Sequence, residues 1–291
     1  MKLRTLGPAW SGALMGTSIS ATLSNIFGLS WLSYVLLIAA SILLLLVSRK
    51  ERLSTATMPA WGMYSMGVLA LGTAYSTILG LWWVHAAAWF IGGVLSVITC
   101  LWYTVALLRG KAGPAAFTWG LPLVAPMVTA TSSAQLGAHL QSPLIMHIGM
   151  AMFFLAWCTG VPTFVVAYLR AKVPLALRTT TWIPLGIVGQ STAAAHLLWG
   201  AHLYGVIMLS IGVPLVGYAL YRHWSAVGSM PYNPSWFAST FPVGTVCLGA
   251  HLSGFDTAAH VLLVLLLLHL IWAATGGAIQ AAAQPTSARP R

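Results

Sequence analysis

The sequence predicts an all-α polytopic membrane protein. Ten transmembrane helices pair as five hairpins, the odd-numbered helices forming an inner ring around a central pore and the even-numbered ones an outer ring. Three observations lead there. Only 5% of the 291 residues are charged while 59% are hydrophobic, against about 25% charged in soluble domains. Apolar runs such as VLLVLLLLHL (261–270) show none of the strict alternation of a lipid-facing barrel strand. Finally, plain apolar stretches alternate along the chain with stretches rich in Gly, Pro, Ser and Thr.

The spans are expected at Pro8–Ile26, Ser30–Val47, Pro59–Leu79, Trp82–Leu108, Phe117–Leu136, Leu144–Leu169, Leu177–Leu198, Trp199–Tyr221, Pro234–Ser253 and Thr257–Ile279. The amino terminus, MKLRTLGPAWSGALMG, starts like a signal peptide but lacks a small-residue cleavage site, so it reads as the first retained span. Residues 1–280 form one transmembrane domain and 281–291 a short cytoplasmic tail.

Odd spans carry the polar and kinking residues. These include Ser11, Gly12, Gly16 and Thr17 in the first, Gly62, Ser65, Gly67 and Thr73 in the third, Pro122, Pro126 and Thr131 in the fifth, and Pro184, Gly186, Gly189 and Gln190 in the seventh. Even spans are plainer, as in SILLLLV and FVVAYL. Small residues let helices approach closely in lipid, which accounts for many of the glycines. A lumen accounts for prolines and hydroxyls following the same odd-numbered pattern.

Basic residues set orientation, because Lys and Arg accumulate in cytoplasmic loops. Lys2 and Arg4, then Arg49, Lys50 and Arg52, Arg109 and Lys111, Arg170, Lys172 and Arg178, Arg222, and Arg289 and Arg291 all fall on one side of a ten-span chain. Both termini are therefore expected in the cytoplasm. The net charge of +11 is dispersed in these clusters, which argues for topology signals and against nucleic-acid binding.

The stretch Ser235–Gly254, which covers most of the ninth span, is the most irregular. It holds Pro242 in its interior, Gly244 and Gly249 beside it, and the rings of Trp236, Phe237 and Phe241. A spacing of four places Phe237 and Phe241 on one face, followed by Gly244 and Leu248. Phe241 either plugs a narrow passage or fills the bend left by Pro242.

The chemistry inside the spans is defined by what they lack. Glu51 and Asp256 are the two acidic residues of the chain and both fall at span edges. That leaves no mid-membrane carboxylate for cation binding or an acid-centred proton relay. An anion would be stabilised weakly, by hydroxyls, exposed backbone dipoles and the basic clusters. His147, His196, His202, His251, His260 and His269 form no HExxH or chelating set and read as structural or interfacial, with substrate contact or pH sensing as the alternative. Met15, Met58, Met63, Met66 and Met127 read as packing, and Cys100, Cys158 and Cys247 as unpaired thiols within spans. No metal, cofactor or catalytic dyad is indicated, so the chain is not expected to be an enzyme.

WIPLGIVGQS (Trp182–Ser191) and STFPVGT (Ser239–Thr245), set in the ten-span plan, resemble the tellurite-resistance/dicarboxylate transporter family, which includes bacterial TehA-like proteins and plant guard-cell slow anion channels. The resemblance implies five hairpins around a pore, a homotrimer with one pore per protomer in the bacterial cytoplasmic membrane, and small anions as cargo. It also implies a phenylalanine of the ninth span occluding the pore, for which FPVGT selects Phe241 ahead of Phe237. Pro126, Pro184 and Pro242 would bend inner helices, Gly12, Gly16, Gly67, Gly189 and Gly244 would leave room along the lumen, Gln190 would line it, and Trp10 would add an aromatic near its mouth. The expected cargo is a small inorganic anion, sulfite or a small carboxylate, carried passively. The alternative is coupled efflux of tellurite, sulfite or another oxyanion.

Overall fold

The computed structural model describes residues 7–48 and 51–283, except the side chains of residues 278 and 280–283. Ten α-helices follow one another: α1 Ser11–Ile26, α2 Ser30–Val47, α3 Met58–Leu79, α4 Trp82–Leu108, α5 Gly120–His139, α6 Pro143–Arg170, α7 Ile183–Trp199, α8 His202–Trp224, α9 Thr240–Leu252 and α10 Asp256–Ala283. The spans expected from sequence are all present with shifted ends: α5 runs on to His139, α7 through Trp199, α8 from His202 to Trp224, and α10 to Ala283. Gly200 sets the boundary between α7 and α8 by closing α7 in the left-handed conformation (φ 63°), as Gly80 (φ 68°) does for α3. Part of the expected tail, 281–283, continues α10, while 284–291 lie outside the described residues, as do Lys2, Arg4, Arg49, Lys50, Arg289 and Arg291.

The odd helices form a closed ring. α1 packs on α3, α3 on α5, α5 on α7, α7 on α9, and α9 returns to α1. Each even helix lies against its own odd partner and the next odd helix, so α10 closes the outer layer between α9 and α1. Burial follows composition: 14 of the 16 residues of α1 are buried, against 4 of the 18 in α2. The five helices long and apolar enough to cross a membrane by themselves are the even ones, 22–33% buried over their most apolar stretch. Lipid therefore meets the even helices, and the odd ones are solvated by protein.

Four of the five odd helices begin differently from expectation. Pro8–Trp10, Phe117–Trp119, Leu175–Trp182 and Pro234–Ser239 are 3-10 turns leading into α1, α5, α7 and α9. The 13 residues of α9 span about 20 Å at 1.5 Å per residue. The six residues of its 3-10 lead-in add about 12 Å, which together match a hydrocarbon core of about 30 Å. This changes the role of the prolines. Pro184 is at the start of α7 and Pro242 in the first turn of α9, where a missing N–H costs nothing, so neither bends a helix interior. Pro126 does lie inside α5, but Pro162 and Pro214 lie inside the outer helices α6 and α8, so interior prolines do not track the odd helices.

The two ends of the bundle differ in charge. The odd-to-even links, residues 27–29, 80–81, 140–142, 200–201 and 253–255, contain no Lys or Arg. Arg52, Arg109, Lys111, Lys172 and Arg178 lie in the even-to-odd links at the opposite end. There Arg178 donates to Ser225 Oγ at 3.3 Å and Arg222 to the Val173 carbonyl at 3.3 Å, tying two links together.

Candidate functional site

Two cavities lie on the axis of the inner ring, one on either side of Phe241. The one toward the basic end has a volume of about 30 Å³, room for a water molecule, and is lined by Met15, Met63, Met66, Leu121, Val124, Ile183, Gly186, Ala238 and Pro242. The one toward the opposite end, also about 30 Å³, is lined by Ile19, Thr22, Leu23, Ala70, Thr73, Thr131, Ser132, Gln135 and Leu248. Val128, Gln190 and Phe241 border both. Every odd helix contributes to the second cavity and no even helix contributes to either.

Phe241 is 4% exposed and lies in the first turn of α9. The preceding 3-10 turn sets its direction by changing the rotation of the chain just before it. Phe237, inside that turn, points elsewhere: it packs with Ala13, Trp236 and Leu270, and lines neither cavity. The equal spacing that paired the two rings on one face assumed continuous α-helix. Trp10 likewise packs toward Tyr232, ring centroids 6.0 Å apart, away from both cavities.

The glycines expected to leave room along the lumen instead face neighbouring helices. A Cβ on Gly12 would meet Phe237 Cβ at 3.3 Å, one on Gly67 would meet Leu14 Cδ2 at 2.7 Å, and one on Gly244 would meet Ile19 Cγ2 at 2.7 Å. One on Gly16 would run into the Thr240 side chain, and one on Gly189 into the backbone of Thr245 and Val246. Their missing side chains bring the inner helices together. The methionines reverse the other way, with Met15, Met63 and Met66 lining the apolar cavity while Met58 and Met127 are packed.

Gln190 is 5% exposed and spans the level of Phe241. Its Nε2 donates to Thr131 Oγ1 at 2.8 Å, and its Oε1 is buried with no hydrogen-bond partner. Sequence alone singled out Gln190 and placed Leu248 on the Phe241 face, but missed Thr22, Ser132 and Gln135 as cavity walls. Among the described residues neither cavity is lined by a charged side chain. A desolvated ion in such a path would depend on neutral dipoles, which bind weakly and release readily.

Histidines lie outside the cavity walls. His251 Nδ1 is 2.9 Å from Asp256 Oδ1, and the His260 ring nitrogen pairs with the Asp256 carbonyl at 2.7 Å, both rings flanking Phe27. His269 and His223, buried between α8 and α10, accept from Trp224 and Trp182 at 3.4 and 3.1 Å. His85, which the spacing of residues did not single out, is fully buried between α3, α4 and α5. Among the described residues, no three His, Cys, Asp or Glu side chains cluster closely enough to hold a metal.

Comparison with known proteins agrees with this architecture. The chain is 24% identical over 219 residues to the sulfite efflux pump SSU1 of Arthroderma benhamiae and, over the same length, to that of Trichophyton rubrum, covering 64% of this chain and 54% of each relative. A third, from Arthroderma otae, is 24% identical over 197 residues, 57% of this chain and 51% of the relative. The chain thus spans about half the length of these curated relatives. Residues 5–278, nearly the whole ring-in-ring bundle, match the family described as SLAC1, voltage-dependent anion channel, and the chain belongs to that family of multi-pass membrane proteins.

Proposed function

We propose that the inner ring is an anion path closed by the Phe241 ring, and that small inorganic anions, sulfite or small carboxylates pass when that ring moves aside. The observation carrying this reading is that Phe241 borders both axial cavities, so the ring stands between two spaces that are otherwise separate. An apolar ring there would exclude a hydrated ion by keeping the constriction dry. The uncharged walls favour throughput over capture. Gln190 borders both cavities and keeps a second amide N–H beyond its bond to Thr131, which could replace part of an anion's hydration, while the methionines offer little.

A second reading is favoured by the relatives, which are described as sulfite efflux pumps: the chain exports sulfite or a similar oxyanion, such as tellurite, in a coupled cycle. Dicarboxylates belong to the first reading. The protein sits in a bacterial cytoplasmic membrane with the basic end of the bundle and both termini on the cytoplasmic side. The protomer assembles as a homotrimer whose outer helices face lipid and neighbours, each protomer with its own path.

Purified protein in liposomes under a set voltage separates the readings, with chloride, nitrate, sulfite and malate offered in turn. Voltage-driven current without proton movement is expected for the channel. Sulfite flux that is strictly tied to proton movement and independent of voltage would replace it with the coupled carrier. No flux of any anion from folded protein would refute both.

A further inference from the structure

A hydrogen-bonded chain runs from α3 through α4 to α5 and ends on the wall of the cavity containing Ser132. His85 Nδ1 lies 2.8 Å from Ser76 Oγ, and His85 Nε2 lies 2.7 Å from Ser132 Oγ. The direction of the chain follows from counting protons. Ser76 Oγ also lies 2.9 Å from the Thr73 carbonyl, which can only accept, so the single hydroxyl proton of Ser76 goes there. His85 Nδ1 must then carry the imidazole proton and donate to Ser76. In the neutral ring Nε2 is bare, and it accepts from Ser132.

Ser132 therefore turns its only proton away from the cavity whose wall it forms. The other three hydroxyls of that wall do the same. Thr22 donates to the Ser18 carbonyl at 3.2 Å, Thr73 to Gln135 Oε1 at 3.2 Å, and Thr131 to the Met127 carbonyl at 3.3 Å. Gln190 adds the buried, unpartnered Oε1. With His85 neutral, the hydroxyl wall offers lone pairs, which repel an anion.

We infer that this cavity is a proton-linked anion site, in which protonating His85 frees the Ser132 hydroxyl to bind a small monovalent anion beside Phe241. An imidazolium donates from both ring nitrogens. Ser132 Oγ then accepts from Nε2–H, and its own proton turns into the cavity. The proton comes from water and stays on the ring, so no bond is made or broken beyond that transfer. Anion and imidazolium lie one hydroxyl apart, and each offsets the cost of burying the other. The site rests on the anion-path reading of the inner ring and adds to it a requirement that proton and anion bind together.

Other ionisable groups around His85 are few. α5 contributes His139, stacked on Trp82 at 3.9 Å between centroids, and Trp82 itself stacks on His85 at 5.5 Å. The α3 tyrosines Tyr64 and Tyr75 bond to Ser48, just past the end of α2, and to Ser41 on α2, away from it. α6, which also touches α4, carries His147 beside the α5–α6 link. His139 is thus the group to control for.

The test is chloride and nitrate flux into liposomes between about pH 4 and 8, a range wide enough for a buried His to take up its proton and over which neither anion titrates. Wild-type flux is expected to rise about tenfold as pH falls, the worth of one hydrogen bond to a charged group. His85→Gln and Ser132→Ala should each flatten that rise, and His139→Gln should keep it. Ser132→Ala leaves His85 and its Ser76 bond in place, so it decides the matter if His85→Gln does not fold. Flux that is equally pH-dependent in wild type and Ser132→Ala, or pH-independent in wild type, overturns the proton-linked site while leaving the anion path standing. Absence of flux at every pH, in both wild type and Phe241→Ala, overturns the path and the site together.

Discussion

Replacing Phe241 with alanine should turn two separate cavities into one. The ring is 4% exposed and divides two small cavities of about 30 Å³ each. Once it is gone, Val128 and Gln190 are the residues left bordering both spaces, and Gln190 presents a polar amide. A constriction that was apolar on one side can then hold water. An ion stripped at a dry constriction faces a barrier of several kcal/mol. Recovering even about 1.4 kcal/mol of it raises flux tenfold, so at least a tenfold gain in chloride and nitrate current is expected. Stability should fall by less than the roughly 3–5 kcal/mol typical of Phe→Ala in a packed core, because the ring already borders empty space on two sides. The assay is voltage-clamped flux from protein eluting as a single species in detergent. A folded Phe241→Ala variant with wild-type flux for every anion would show the ring to be packing, and the coupled-carrier reading would take its place.

Three other outcomes follow from the same geometry. Gly189→Ala forces a methyl into the backbone of Thr245 and Val246, which cannot give way as a side chain would, and should cost about 1–3 kcal/mol or more. Gly217→Ala, with nothing within 4 Å, should be neutral or stabilising by about 0.5–1 kcal/mol, and thermal unfolding in detergent compares the two. Gln190→Leu should lower anion flux about tenfold through loss of its amide, with unfolding temperature held or raised because the unpartnered Oε1 goes with it; unchanged flux would remove Gln190 from the path. In a cysteine-free background, Leu248→Cys and Thr73→Cys should react with a small aqueous thiol reagent and Leu45→Cys and Val264→Cys should not, the first pair lining a cavity and the second lying on the outer helices. The reverse pattern would reject the inner-ring path.

The ten helices, the hairpin plan and the division into inner and outer layers were legible from the sequence, because lipid exposure is a property of each helix's own composition. α2 and α10 are apolar enough to stand in lipid, whereas the hydroxyls and glycines of α1 and α7 demand protein around them. The placement of basic residues was equally local. Gln190 stood out as a lone mid-span amide, whereas Phe241 was chosen ahead of Phe237 only through the resemblance that FPVGT carries.

Other features depended on how the helices are turned against one another. A helix with one lipid face announces its rotation by its apolar stripe, but α1, α5, α7 and α9 are buried nearly all round and carry no such stripe. Their rotation is set by pairwise contacts, Gly16 against Thr240 and Gly244 against Ile19, and these put glycines at seams and methionines on a cavity wall. The 3-10 lead-ins broke the spacing that had aligned Phe237 with Phe241. The bond from His85 to Ser132 joins residues 47 apart on different helices. The sequence by itself determined which helices face lipid and which face protein, since that is a matter of transfer free energy residue by residue. Only the tertiary structure decided which atoms face the axis, since that depends on the mutual packing of helices whose own faces do not distinguish inside from out.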